Sequence, residues 1–231
     1  MSRWCMARNT DGLSRERIVE TAVELLDSAG ESGLTFRALS ARLKTGAGAI
    51  YWHVANKDEL LAAATDGALA GVTAAGRTPE EAIRAVAIDV FDAIDAHPWI
   101  GGQLARLTSQ RTTLRILERL GQQVQALGVP AEALFYAASA LLNYILGVAG
   151  QNAANARAQT WGTTRSEVIG AESELWASLD PAEFPFARAI AGQLRDHDDR
   201  EQFLAGIDLI IAGIKQTSEA GTTQTSESGI K

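Results

Sequence analysis

Between Gly46 and Leu60 the chain reads GAGAIYWHVANKDEL, which sets Tyr51, Trp52 and His53 side by side, with Lys57 one helical turn beyond. A phenol, an indole N–H, an imidazole and an ammonium all donate hydrogen bonds to anionic or carbonyl oxygens. Upstream, Arg37 offers a guanidinium able to grip two acceptors at once, as on the edge of a guanine. Lys44 and Thr45 add donors suited to a phosphate backbone. The small residues of TGAGA let the main chain approach phosphates and base edges closely, and Ala49 can touch a thymine methyl. This is the chemistry of holding a nucleic acid, not of turning over a substrate. No Ser-His-Asp, paired-carboxylate, zinc or phosphate-loop pattern stands in a supporting context. The run DHDD, Asp196 to Asp199, mixes histidine and carboxylates, but four adjacent residues in a turn cannot converge on one ion. It reads as an acidic helix start. The expectation is no metal, no cofactor and no enzyme.

Helices must position these groups. Ile18, Ala22, Leu25, Leu26 and Ala29 recur at helical spacing, with Ser14 as cap and Gly30 as stop. Thr35 caps a second, short helix, FRALSARL. KTGAG breaks it, and Thr45 is placed to cap a third, AGAIYWHV. Asn56 caps a fourth, with Glu59 reaching back in the manner of a capping box. The second and third helices have helix-turn-helix proportions. Within the third, Ile50 and Val54 read as core, and Trp52 either packs between helices, the favoured reading, or lies against the DNA backbone.

The remainder is also helical. Thr78-Pro79-Glu80-Glu81 is a strong start signal, and His97-Pro98 a stop. A hydrophobic helix runs from Pro130 to about Ala154, and an apolar last helix over 200–215. With Pro scarce and no strand pattern, the fold class is all-α. The expected organisation is a flexible tail over 1–12, a helix-turn-helix domain over 13–62, a larger helical domain over 63–216 and a disordered tail over 217–231.

The formal net charge is −7, so the chain as a whole is no polybasic binder. The first 62 residues carry eight basic and eight acidic side chains, and the acidic excess lies entirely beyond them. A polyanion therefore meets the N-terminal part. The one cysteine, Cys5, permits no disulfide within the chain and fits a reducing cytoplasm. The stretch ALFYAASALLNYILGVAG is interrupted by Ser139 and Asn143 and reads as a buried helix, not a membrane span. The start lacks the apolar region of a signal peptide.

RIVETAVELLDSAGESGLTFRALSARL, followed by the turn and AIYWHVANKDELL, resembles the DNA-binding domain of the tetracycline-repressor (TetR) family. The Gly-Leu-Thr entry to helix two, the aromatic in helix three and the Asn-Lys before helix four carry the resemblance. It implies base contact by Arg37 and DNA contact by Tyr51, His53 and Lys57. The tetracycline branch has polar base-reading residues at the start of helix three, where this chain has Gly46, Ala47, Gly48 and Ala49. Its operator should therefore differ, with more readout falling on Arg37, Lys44 and DNA shape.

ALFYAASALLNYILGVAGQ and FLAGIDLIIAGIK are similar in position and character to the two dimer-forming helices of that branch. Helices apolar nearly all round must be buried on several sides, and a two-fold four-helix interface supplies the extra burial. Leu142, Ile145, Leu146, Leu204, Ile207 and Ile211 are its expected residues. A sensor cavity for a small-molecule effector is expected among Trp99, Gln103, Arg106, Phe135, Asn143, Trp161 and Trp176. The histidines that hold a tetracycline–magnesium chelate in that branch are unmatched, since the corresponding stretches read DGALAGVTAAG and IGGQLARL. Another effector is implied. The expected protein is a homodimeric, effector-released repressor of double-stranded operator DNA, cytoplasmic, with no membrane partner. Its rivals are an activator or a ligand-free regulator, or a helical small-molecule-binding or enzyme-like protein that has lost DNA binding.

Overall fold

The computed structural model describes residues 13–106, 111–158 and 164–228, and side chains within these except at 105–106, 156–158 and 219–228. Every regular element among the described residues is helical. The chain divides into two compact units, Met1–Ala70 and Gly71–Lys231.

The first unit holds α1 (Arg15–Gly33), α2 (Phe36–Leu43), α3 (Ala47–Tyr51) and α4 (Lys57–Ala68). The Ser14, Thr35 and Asn56 side chains accept from the backbone N–H three residues on, at 3.2, 3.1 and 2.8 Å. Each satisfies one of the donors a helix start leaves unpaired. Glu59 completes the start of α4 by accepting from the Ala55 N–H at 2.8 Å. Gly30 takes φ 65°, ψ −172°, so the helix breaks where the glycine suggests, and one more turn follows to Gly33. Two details of the turn differ from expectation. Gly46, not Thr45, occupies the N-cap of α3, with no side-chain cap bond. The left-handed residue that ends α2 is Lys44, at φ 52° and ψ 44°. Ile18, Leu26, Leu34, Leu39, Ile50 and Leu60 form the centre of this unit, each no more than 2% exposed. The unit keeps α4 whole and runs to Ala70, beyond the expected limit at Ala62.

The second unit holds α5 (Pro79–Ala96), α6 (Trp99–Arg106), α7 (Arg111–Ala126), a 3-10 turn (Ala131–Ala133), α8 (Leu134–Ala158), α9 (Arg165–Ser178), α10 (Pro185–Asp196) and α11 (Asp199–Ser228). The last helix continues past Lys215, where the sequence pattern ends it. α8 lies at the centre, packed on α5, α6, α7 and α11, while α9 and α10 pack chiefly on each other. Gly101 lets α6 close on α8: a Cβ there would lie 3.3 Å from the Gly150 Cα and 3.1 Å from the Ala153 Cβ. Phe91, Phe203 and Tyr144 stack in series between α5, α11 and α8, with centroids 4.9 and 5.7 Å apart. Three ion pairs join α5 to α11: Arg84–Asp208 at 2.6 Å, Arg200–Asp92 at 3.3 Å and Lys215–Glu80 at 2.8 Å. Partly exposed pairs of this kind contribute little energy each but select one register between the helices. At the α11 start, Asp198 accepts the N–H groups of Arg200 and Glu201, each at 2.9 Å. That is the helix-start role read from DHDD.

Candidate nucleic-acid interface and effector region

Charge divides the surface of the first unit. An open groove of about 700 Å³ between α1 and α4 has Val19, Val23, Ala63 and Ala68 along it. Glu16, Glu20, Glu24 and Asp66 also line it, a face that repels phosphate. Residues 32–56, in contrast, contain Arg37, Arg42 and Lys44 and no acid. Averaging charge over the first 62 residues hides this basic segment. Arg37 and Lys44 are both exposed, one in the first turn of α2 and the other in the turn after it.

On α3, burial follows helical geometry. Ile50 and Val54, one turn apart, are 0% and 1% exposed and anchor the helix inward. Tyr51 is 52% exposed and its ring stacks on Phe36, with centroids 4.4 Å apart and planes 11° from parallel. That fixes the ring and leaves the phenol end outward. Trp52 is 90% exposed, so the expectation that it packs between helices is wrong. The signal was available: two residues past Ile50 lies about 200° around a helix, on the opposite side. His53 is half-buried beyond the end of α3, and Ala49 and Thr45 are half-buried beside it. Lys57 is half-buried too, and its Nζ donates to the Glu31 carbonyl at 2.7 Å. Its ammonium therefore closes the end of α1.

The expected effector residues do not assemble as a set. Trp99 and Gln103 share a buried face of α6, at 7% and 5% exposed, one turn apart. Phe135 and Asn143 are exposed on α8 and line no cavity found among the described residues. Trp176 is half-buried and its indole donates to Glu172 at 2.8 Å, within its own helix. Trp161 and the Arg106 side chain lie outside the described residues. A cavity of about 20 Å³ lies between α5, Pro98 and α8, bounded by Phe91, Ile94, Asn152 and Ala153. It has room for one water, not for an organic ligand. Among the described residues, the buried hydroxyl of Thr113 on α7 has no hydrogen-bond partner, a group without a signal in the sequence.

The residues expected at a dimer interface lie on α8 and α11. Leu142, Ile145, Ile207 and Ile211 are buried within their own chain, and Leu146 and Leu204 are half-buried. The uncovered stripes are Tyr136, Ala140, Asn143 and Gly147 on α8, and Ala205, Leu209 and Ala212 on α11. Their spacing of three and four residues is that of a single helix face.

Comparison with known proteins gives the following. Residues 18–64 match the family model of bacterial regulatory proteins, tetR family, and residues 73–218 match the model of the tetracyclin repressor-like C-terminal domain. The chain is similar to an HTH-type transcriptional regulator of Saccharopolyspora erythraea, 28% identical over 89% of this chain and 86% of that protein. It is equally similar to the class D tetracycline repressor protein of Escherichia coli, 28% identical over 88% and 89%. Among solved structures it resembles the transcriptional regulator SCO7222, a TetR from Streptomyces coelicolor. That chain is 55% identical, with a TM-score of 0.82 over 90% of this chain and 100% of the other. ActR of the same organism, solved in complex with actinorhodin, is 26% identical, with a TM-score of 0.72 over 87% and 95%.

Proposed function

Because this chain belongs to the TetR family of bacterial transcriptional regulators, we propose that it is a homodimeric repressor, released from a pseudo-palindromic operator by a small molecule. The observation that carries the DNA reading is the acid-free segment 32–56, whose exposed Arg37, Lys44, Tyr51 and Trp52 stand on two short helices with an inward apolar face. α3 enters the major groove, Arg37 reads a base edge, and Lys44, His53 and Lys57 position the backbone. Trp52 joins them as a contact with the sugar-phosphate backbone. With Gly46 to Ala49 unable to donate side-chain hydrogen bonds, base readout concentrates on Arg37.

Two subunits associate through the uncovered α8 and α11 stripes, where Leu209 and Tyr136 are 76% and 73% exposed. Apart from Tyr136, Asn143 and Leu209 the stripe residues are alanine and glycine, which suits close helix packing about a two-fold axis. ActR has been solved with a bound small molecule. In this chain the effector enters near the buried face of α6, and its polar group satisfies the Thr113 hydroxyl. The helical unit must open to admit it, so ligand and DNA favour different states of that unit.

The test is binding of the full-length protein to the labelled intergenic DNA upstream of its own gene, across a salt series. Specific affinity should fall steeply with salt. Arg37→Ala should cost about 1–3 kcal/mol and relax preference at one position of each half-site. Absence of any salt-sensitive, sequence-preferring complex at micromolar protein overturns the reading.

A further inference from the structure

α3 is five residues long, and its end carries carbonyl groups that no further helical turn satisfies. The groups that hold this end come from elsewhere in the first unit. Arg15, the first residue of α1, donates through Nη1 to the His53 carbonyl at 2.6 Å and to Glu59 Oε1 at 3.0 Å. Glu59 accepts the Ala55 N–H on its other oxygen at 2.8 Å. One guanidinium and one carboxylate thus clamp residues 53–55, the link between α3 and α4. Both side chains are partly exposed, 47% and 39%, so the ion pair by itself adds little stability. Its effect is geometric. A guanidinium is a rigid fork, and here a single nitrogen meets two acceptors from separate parts of the chain.

We infer that Arg15 is a positioning residue for DNA recognition: it sets the end of α3, and with it Tyr51, Trp52 and His53, without itself touching DNA. Arg15 also lines the groove between α1 and α4, beside Glu16, Glu20 and Glu24, where phosphate is repelled. Its Nη1 is committed to a carbonyl and a carboxylate of its own chain. The inference rests on the DNA-binding reading above.

A positioning role and a phosphate contact separate cleanly in a salt series. Losing a phosphate contact flattens the plot of log affinity against log salt by about 0.9 per contact, or about 1.8 for a dimer with two heads. Losing only geometry lowers the line and leaves its slope. The full-length protein and its Arg15→Gln and Glu59→Gln variants are titrated with the same labelled upstream DNA, with Lys44→Ala as the phosphate-contact reference. Arg15→Gln should weaken binding about tenfold, the loss expected when a charge-assisted hydrogen bond goes, with an unchanged slope. Glu59→Gln keeps Arg15 and removes a negative charge from the DNA-binding unit, so electrostatics alone would strengthen binding. Positioning requires it to weaken binding, and this variant decides the matter if Arg15→Gln melts below the assay temperature. An Arg15→Gln slope that flattens like that of Lys44→Ala overturns the inference, as does a folded Arg15→Gln that binds within twofold of wild type. Wild-type protein that binds no DNA overturns the DNA reading instead.

Discussion

Gly206 on α11 should be intolerant of alanine, against the usual rule that alanine strengthens a helix. A Cβ at Gly206 would overlap Tyr144 Oη and Cζ, far inside contact distance. The Tyr144 ring is stacked 6° from parallel on Phe203, which stacks in turn on Phe91, and the phenol donates to the Phe203 carbonyl at 3.2 Å. With a methyl at 206 the ring must either stay and strain its surroundings or move and lose these partners. Overpacking costs about 1–3 kcal/mol. Moving forfeits about 1 kcal/mol for the hydrogen bond and about 1 kcal/mol for the ring pair. Helix propensity returns about 1 kcal/mol on replacing glycine by alanine. The net is a loss of about 1 kcal/mol, or roughly 2–4 °C in the unfolding midpoint of a chain this long. In a Tyr144→Ala background the obstruction is gone, and the same change should become stabilising by about 1 kcal/mol. Circular-dichroism melts of the four proteins measure both signs. A Gly206→Ala single variant that melts higher than wild type refutes the reasoning.

The dimer face has its own discriminating pair. Leu209→Glu, at an exposed stripe position, should yield a folded protein of single-chain mass by light scattering, whereas Ile207→Glu, at 0% exposure, should abolish folding. A Leu209→Glu protein that remains a dimer places the interface elsewhere. Thr113→Val replaces a buried hydroxyl that has no partner by a methyl, and should raise stability by about 1 kcal/mol while weakening any effector response. A drop in the melting temperature would reveal a hydrogen bond there. The Ala55 N–H and then Arg15 hold the Glu59 carboxyl below its ordinary 4.5. Its folded-state pKa is therefore depressed, and the stability it contributes is present above the unfolded value and lost as pH falls through the folded one. The melting-temperature gap between wild type and Glu59→Gln should be largest near neutrality and close in acid. A gap that is constant with pH excludes this linkage.

What the sequence determined by itself is local. Serine, threonine and asparagine at Ser14, Thr35, Asn56 and Thr78 accept N–H groups within their own first turns, so the helix starts are written in neighbouring residues. The inward positions of α1, α3 and α5 follow from apolar side chains repeating at helical spacing opposite polar ones, as at Ile18 and Ala22 or Ile83, Val86 and Val90. The helix-turn-helix order and the family resemblance rest on such local signals. So does the candidacy of Arg37 and Tyr51.

The tertiary structure decided where local pattern is silent. α8 and α11 carry apolar residues around most of their circumference, so periodicity cannot say which face turns inward. Packing on α5, α6 and α7 buries Leu141, Leu142 and Ile145, and leaves Ala140, Asn143 and Gly147 uncovered. Small residues lose least by facing out and permit the closest approach of another helix, so the open stripe is the one poorer in leucine and isoleucine. The partners of Lys57 and Arg15 are likewise non-local: their donors meet carbonyls 26 and 38 residues away, at the ends of α1 and α3. A sequence displays the cation, but only the fold brings to it the helix end whose unpaired carbonyl it satisfies.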